Sequence, residues 1–151
     1  QKSEQESAAE TIENNIHKKG VERMVINPAY YAKMSSILEQ LILARPRGVI
    51  AYGQLLDTYM ELAKNVANPE KNTKYPDSIR SNGALRALYD NCGEDEATAL
   101  KLHKAIVKAR LDGFRNNPVK ANKIKRALYQ LLNDDSEVER IYQIVVEQEE
   151  Y

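Results

Sequence analysis

Nine lysine and arginine residues fall between positions 101 and 126: Lys101, Lys104, Lys108, Arg110, Arg115, Lys120, Lys123, Lys125 and Arg126, against the single acid Asp112. Ammonium and guanidinium groups at that density have one chemistry in common, charge-assisted hydrogen bonding to phosphate or carboxylate oxygens. Residues 132–151 invert the balance, with seven acids (Asp134, Asp135, Glu137, Glu139, Glu147, Glu149, Glu150) against Arg140. The whole chain is neutral, with 22 basic and 22 acidic residues. The imbalance therefore predicts a dipolar field with one basic face, and polyanions are the usual partners of such a face.

The residue types that would break bonds are not arranged to do so. No Gly-x-x-x-x-Gly-Lys-Ser/Thr loop and no Gly-x-Gly-x-x-Gly loop occurs, so nothing in the sequence cradles a nucleotide phosphate. His17 and His103 fall in different helical segments without a second ligand-type residue at i+4, whereas a metal needs three or four converging donors. No Asp or Glu has a lysine two residues after it, as the carboxylate–lysine set of a nuclease would require. The acids at Glu94-Asp95-Glu96 and Asp134-Asp135 sit where helices start and are explained by the helix dipole. Cys92 is the one cysteine, which fits a reducing compartment, and its Asn91-Cys92-Gly93 context is a helix end rather than a nucleophile site. We expect no catalysis, no metal and no cofactor in this chain.

What must position the basic residues is helical. At 151 residues, with 42% hydrophobic and 29% charged residues, the chain is sized for one globular domain. Its longest apolar runs are too short to span a bilayer, and Gln1–Gly20 is too polar for a signal peptide. A leading helix over residues 3–19, capped by Ser3 or Ser7 and stopped by Gly20, has only Ile12 and Ile16 as large apolar anchors. We read residues 1–20 as a leading helix, either part of this domain or a connector to a preceding one, and 21–151 as the helical assembly and DNA-contact domain. Asn27-Pro28 opens the second helix, which carries Tyr31, Met34, Leu38 and Leu41 and stops at Arg45-Pro46-Arg47-Gly48. The third runs from Tyr52 to Ala67. A polar loop follows over Glu70–Asp77, then a short helix capped by Ser81 with Leu85, Leu88 and Tyr89 inward.

Residues 94–111 make the fifth helix and Asp112-Gly113 breaks it; Asn117-Pro118 opens the sixth, lined by Ile124, Leu128, Leu131 and Leu132. Ser136 with Glu139 has the capping-box pattern and opens the last, with Val138, Ile141 and Val145 inward. The fold class is all-α, a single bundle of about six or seven helices with short loops.

Helical spacing then sorts the charges. Lys101, Lys104 and Lys108 fall on one stripe opposite Ala99, Leu102, Ile106 and Ala109. Lys123 and Arg126 share a polar face of the next helix, Lys120 and Lys125 flank its apolar stripe, and Arg115 lies in the turn between. These eight are the candidate phosphate contacts; an ordinary solvated face has the same spacing. Arg110 leaves the stripe for the border of the apolar arc, beside His103, where a charge needs a partner such as Asp90 or Asp112.

A set of short motifs in order adds to this. Asn27-Pro28-Ala29-Tyr30-Tyr31 is followed by Met34-Ser35, then Tyr75-Pro76, then Arg86-Ala87-Leu88-Tyr89-Asp90-Asn91. Next come Arg110-x-Asp112-Gly113-Phe114-Arg115-x-Asn117, Lys120 with Ile124-Lys125, and Gln148-Glu149-Glu150-Tyr151. From about residue 24 onward the set resembles the C-terminal helical region of the motor (restriction) subunit of type I restriction–modification enzymes, with a weaker echo at Glu13-Asn14-Asn15-Ile16. Phe114 departs from the Trp usual there, and Ala51 from the polar cap expected before Tyr52. The resemblance implies a fragment of a bacterial cytoplasmic protein, an ATP-dependent type I site-specific deoxyribonuclease and DNA translocase. The nuclease and ATPase domains, with their ATP and Mg²⁺, would lie elsewhere in the parent subunit. This region would dock the motor on the methyltransferase core of modification and specificity subunits and touch duplex DNA weakly and without sequence preference, alongside the preceding domains of its own subunit. The rival reading is a helical protein–protein adaptor that never touches DNA.

Overall fold

Asparagine, aspartate and proline punctuate this chain at nearly every helix boundary. The structure, a computed structural model, describes residues 4–45 and 52–151. Among the described residues it has eight α-helices and no strand: α1 (Glu4–Arg23), α2 (Pro28–Ala44), α3 (Tyr52–Ala67), α4 (Asp77–Arg80), α5 (Gly83–Asn91), α6 (Glu96–Ala109), α7 (Pro118–Leu132) and α8 (Asp135–Val145). Single 3₁₀ turns lie at Pro69–Lys71 and Phe114–Asn116. The all-α expectation holds. No helix among the described residues is long and apolar enough to cross a membrane.

The chain divides into two compact units, Gln1–Met24 with Pro28–Asn72, and Val25–Asn27 with Thr73–Tyr151. In the first, α1 packs on both α2 and α3. Its buried positions Ala9, Glu13, Ile16 and Gly20 recur every three or four residues, so one narrow stripe faces its neighbours. Gly20 was expected to stop this helix and does not. It is buried, a Cβ there would lie 3.8 Å from Ser35 Oγ on α2, and the helix continues to Arg23. The Arg23 guanidinium then donates to the carbonyl oxygens of Val66 (3.0 Å) and Ala67 (2.9 Å) at the end of α3. Those carbonyls are among the acceptors that a helix C-terminus leaves open, and a cation there also suits the dipole. Glu13 accepts from Arg45 Nη1 at 2.9 and 2.8 Å and from the Tyr59 hydroxyl, which fixes a buried carboxylate between three segments. Of the expected caps for α1, Ser3 lies outside the described residues and Ser7 lies within the helix. Ala51 and the Pro46-Arg47-Gly48 stop also lie outside them.

In the second unit α5 packs on α6, α6 on α7, α7 on α8, and α8 returns to α5. Leu88, Leu102, Ile106, Ile124, Leu128 and Ile141 are fully buried among them. The polar loop of residues 70–77 holds a 3₁₀ turn and leads into α4, which the sequence did not announce. Two caps move by a residue or two. Asn82, not Ser81, caps α5 by accepting from Leu85 N at 3.0 Å. Asp134, not Ser136, caps α8, accepting from Ser136 N at 2.9 Å, Glu137 N at 3.1 Å and the Ser136 hydroxyl at 2.7 Å. Aspartate outcompetes serine here because its charged oxygen binds two orphan amides at the positive end of the helix. Leu131, expected inward on α7, is 43% exposed, since Ala121, Ile124 and Leu128 already complete the buried stripe.

Candidate nucleic-acid interface

The basic segment is built on α6, α7 and the turn that joins them. Asp95 caps α6 through Ala97 N, and its hydrogen bond with the Thr98 hydroxyl is the main reason its carboxyl titrates below the usual range, with Lys101 contributing. Burial of Ala99, Leu102, Ile106 and Ala109 turns the opposite face outward, and Lys101, Lys104 and Lys108 are all exposed on it. The helix ends at Ala109. Gly113 takes φ +78°, a left-handed conformation that glycine adopts without steric cost, and the 3₁₀ turn follows. Asn117 then caps α7 through Val119 N (3.0 Å) and Lys120 N (3.2 Å), with Pro118 at the first helical position. Phe114 is fully buried, edge-on to Tyr142 with ring centroids 6.4 Å apart.

The eight candidate contacts separate into two groups. Arg115 stacks on Phe114, 4.5 Å from the ring centroid, and donates to Val146 O at 2.8 Å and Gln148 O at 2.7 Å. Lys120 Nζ donates to Asp112 O at 2.7 Å, closing the turn. Lys125 pairs with Glu139 at 2.9 Å and lies 4.7 Å from the Tyr142 ring centroid. These three are engaged within the fold. Lys101, Lys104, Lys108, Lys123 and Arg126 are exposed, and among the described residues none of the five has a hydrogen-bond or ion-pair partner. No acidic residue occurs anywhere in α7.

Most of the motif residues are structural. Arg110 donates from Nε to the main-chain oxygen of Tyr151 at 2.9 Å and reaches Asp112 at 3.6 Å; it does not pair with Asp90. Asp90 is instead a buried hub in which one carboxylate accepts from Asn27 Nδ2 (2.8 Å), Lys74 Nζ (2.8 Å) and the Tyr75 hydroxyl. Asn91 completes it by donating to Asn27 Oδ1 at 2.8 Å. Tyr31 is buried, edge-on to Tyr30, and Tyr89 packs edge-on to Tyr75. The segment after α8 folds back: Gln148 donates to Ile26 O and Ile144 O, Glu150 accepts from Ala84 N at 3.1 Å, and the Tyr151 hydroxyl meets His103 Nδ1 at 2.5 Å. Burial lowers the His103 pKa, and Glu150 opposes that shift. His17 is exposed. Burial also pushes the Cys92 thiol up to about 11, which suits a packed, unreactive cysteine. Among the described residues no group of three or more His, Cys, Asp or Glu side chains is placed to hold a metal.

Two features escaped the sequence reading. Leu100 and Val107, two turns apart on α6, are 37% and 52% exposed beside the lysine stripe. Their seven-residue spacing was visible, but residues of that type are assigned inward by default. Tyr129 on α7 is 44% exposed and lines a groove of about 470 Å³ between α7 and α8. No periodicity separates an exposed ring from a buried one at the edge of an apolar stripe.

Comparison with protein-family models, with curated proteins and with solved structures finds no match to this chain.

Proposed function

We propose that this chain is a non-catalytic assembly and DNA-contacting domain of the kind its motifs resemble, one that docks the motor of a type I restriction enzyme on its methyltransferase core. The observation that carries the DNA half of this reading is the set of five exposed cations on successive helices, Lys101, Lys104, Lys108, Lys123 and Arg126, which have no ion-pair partner among the described residues. Such groups neutralise backbone phosphates and release condensed counterions, an entropic gain that takes no account of base sequence. The parent's ATP and Mg²⁺ chemistry belongs to other domains, and a bacterial cytoplasm is the compartment this reading requires. The test is a mobility shift of labelled duplex by the chain, followed by addition of methyltransferase core. A shift, and a supershift on adding the core, support both halves.

A second reading has an observation of its own. Leu100 and Val107 lie beside the α6 lysines, and an apolar–basic surface suits an acidic, apolar protein partner better than it suits phosphate alone. Docking of the core without any duplex shift would favour this adaptor.

A further inference from the structure

The outward side of α7 differs in chemistry from that of α6. Asn122, Lys123, Arg126, Tyr129 and Gln130 are exposed along it, so cations, carboxamides and an aromatic ring alternate with no acid among them. Of the nine tyrosines, Tyr30, Tyr31, Tyr59, Tyr75, Tyr142 and Tyr151 are buried and Tyr52 and Tyr89 are half-buried. Tyr129 is the exception. Its ring lies on the groove shared with α8, whose far wall carries Asp135 and Glu139 over the buried Val138. At about 470 Å³ the groove is within the range of small-ligand sites, roughly 300–1,000 Å³.

We infer that this groove takes an unstacked nucleobase of a single-stranded nucleic acid. The base stacks on the Tyr129 ring, and Arg126 with Lys123 holds the flanking phosphates on the α7 side. Asn122 and Gln130 offer the paired donor and acceptor that match a base edge. Asp135 and Glu139 would repel a phosphate, which places the phosphates away from α8. A carboxylate does accept from the exocyclic amine of cytosine, so that wall suits an amino-bearing base. Glu139 is already neutralised in part by Lys125 at 2.9 Å. Stacking on an exposed ring tolerates every base, which agrees with sequence-independent phosphate contact by the same helix. The inference rests on the DNA-contacting reading and adds strand preference to it.

The experiment uses the whole chain with a short single strand carrying 2-aminopurine and with a duplex of the same sequence. We expect binding to the single strand to quench 2-aminopurine emission. Tyr129→Ala should weaken single-strand affinity about fivefold or more while duplex affinity stays within twofold. Tyr129→Phe, which keeps the ring, should bind like the parent chain. Arg126→Gln should reduce the salt dependence on single strands by about 0.7 in log–log slope. Duplex binding that persists while Tyr129→Ala leaves single-strand affinity unchanged would overturn the groove and spare the domain reading. Equal losses on both nucleic acids, with helical content and melting unchanged, would overturn the strand preference. If the parent chain binds neither, the DNA-contacting reading falls with it.

Discussion

Asp90 and Arg110 show what the motif residues do. Asp90 gathers Asn27, Lys74 and Tyr75, which come from a linking segment and a loop far apart in sequence. Replacing it with alanine removes the carboxylate that Asn27 and Tyr75 share and the nearer of the two acids beside Lys74, which keeps Glu94 at 3.9 Å. We expect Asp90→Ala to lose about 1–3 kcal/mol of stability by urea denaturation, as taking a charged acceptor from buried donors does. A loss below about 1 kcal/mol would mean that water replaces the carboxylate. Arg110→Ala removes a charge-assisted hydrogen bond to Tyr151 and should cost about 1–3 kcal/mol. An unchanged melting temperature would show that the segment after α8 is held without it. The structural character of Arg110 was legible from its place at the edge of the apolar arc. Its partner was not, because Tyr151 lies 41 residues away and no local pattern points to a folded-back main-chain oxygen.

At the scale of elements, caps decide where helices begin, and two of the caps are titratable. Asp95 and Asp134 both have carboxyls held below the usual range, Asp95 first by Thr98 and Asp134 first by Ser136. A folded-state pKa below the unfolded one means their contribution is fully present above the ordinary carboxylate value of about 4. It is lost as pH falls through the lowered folded value. Asparagine caps as well as aspartate but does not titrate. Asp134→Asn should therefore melt close to the parent protein at neutral pH and show a shallower acid limb in a pH series of thermal melts. An identical acid limb would assign that limb to other carboxylates. Most helix spans were readable from Asn-Pro, Asp-Gly and apolar spacing, with α3 found at Tyr52–Ala67 as expected. Gly20 does not stop α1, which runs on to Arg23. Glycine weakens a helix by about 1 kcal/mol, and the contact of Arg23 with the end of α3 outweighs that.

For the whole molecule, neutrality concealed more than it revealed. The acids of residues 132–151 are not a free tail: Asp134 caps α8, Glu139 pairs with Lys125, Glu137 with Arg140, and Glu150 binds Ala84 N. The all-α class was legible because helical periodicity is a local signal. The division into two units was not, since the passages at Val25–Asn27 and Thr73 are assigned by packing rather than by composition. Three of the eight candidate phosphate contacts have partners within the chain that sequence could not show, for a similar reason. Arg115, Lys120 and Lys125 look as basic in sequence as Lys104, and only tertiary geometry shows them engaged.

The most direct measurement is fluorescence anisotropy of a labelled duplex across a salt series, with the parent chain and with Lys104→Glu, Lys108→Glu, Lys123→Glu and Arg126→Glu combined. We expect weak binding, roughly 10⁻⁴–10⁻⁶ M near physiological salt, falling steeply as salt rises. The combined variant should lose affinity equally for unrelated sequences, and its log–log slope should flatten by about 0.9 for each phosphate contact removed. Affinity and slope that survive all four reversals would contradict the claim that these open cations meet DNA, and would leave the chain as a protein adaptor.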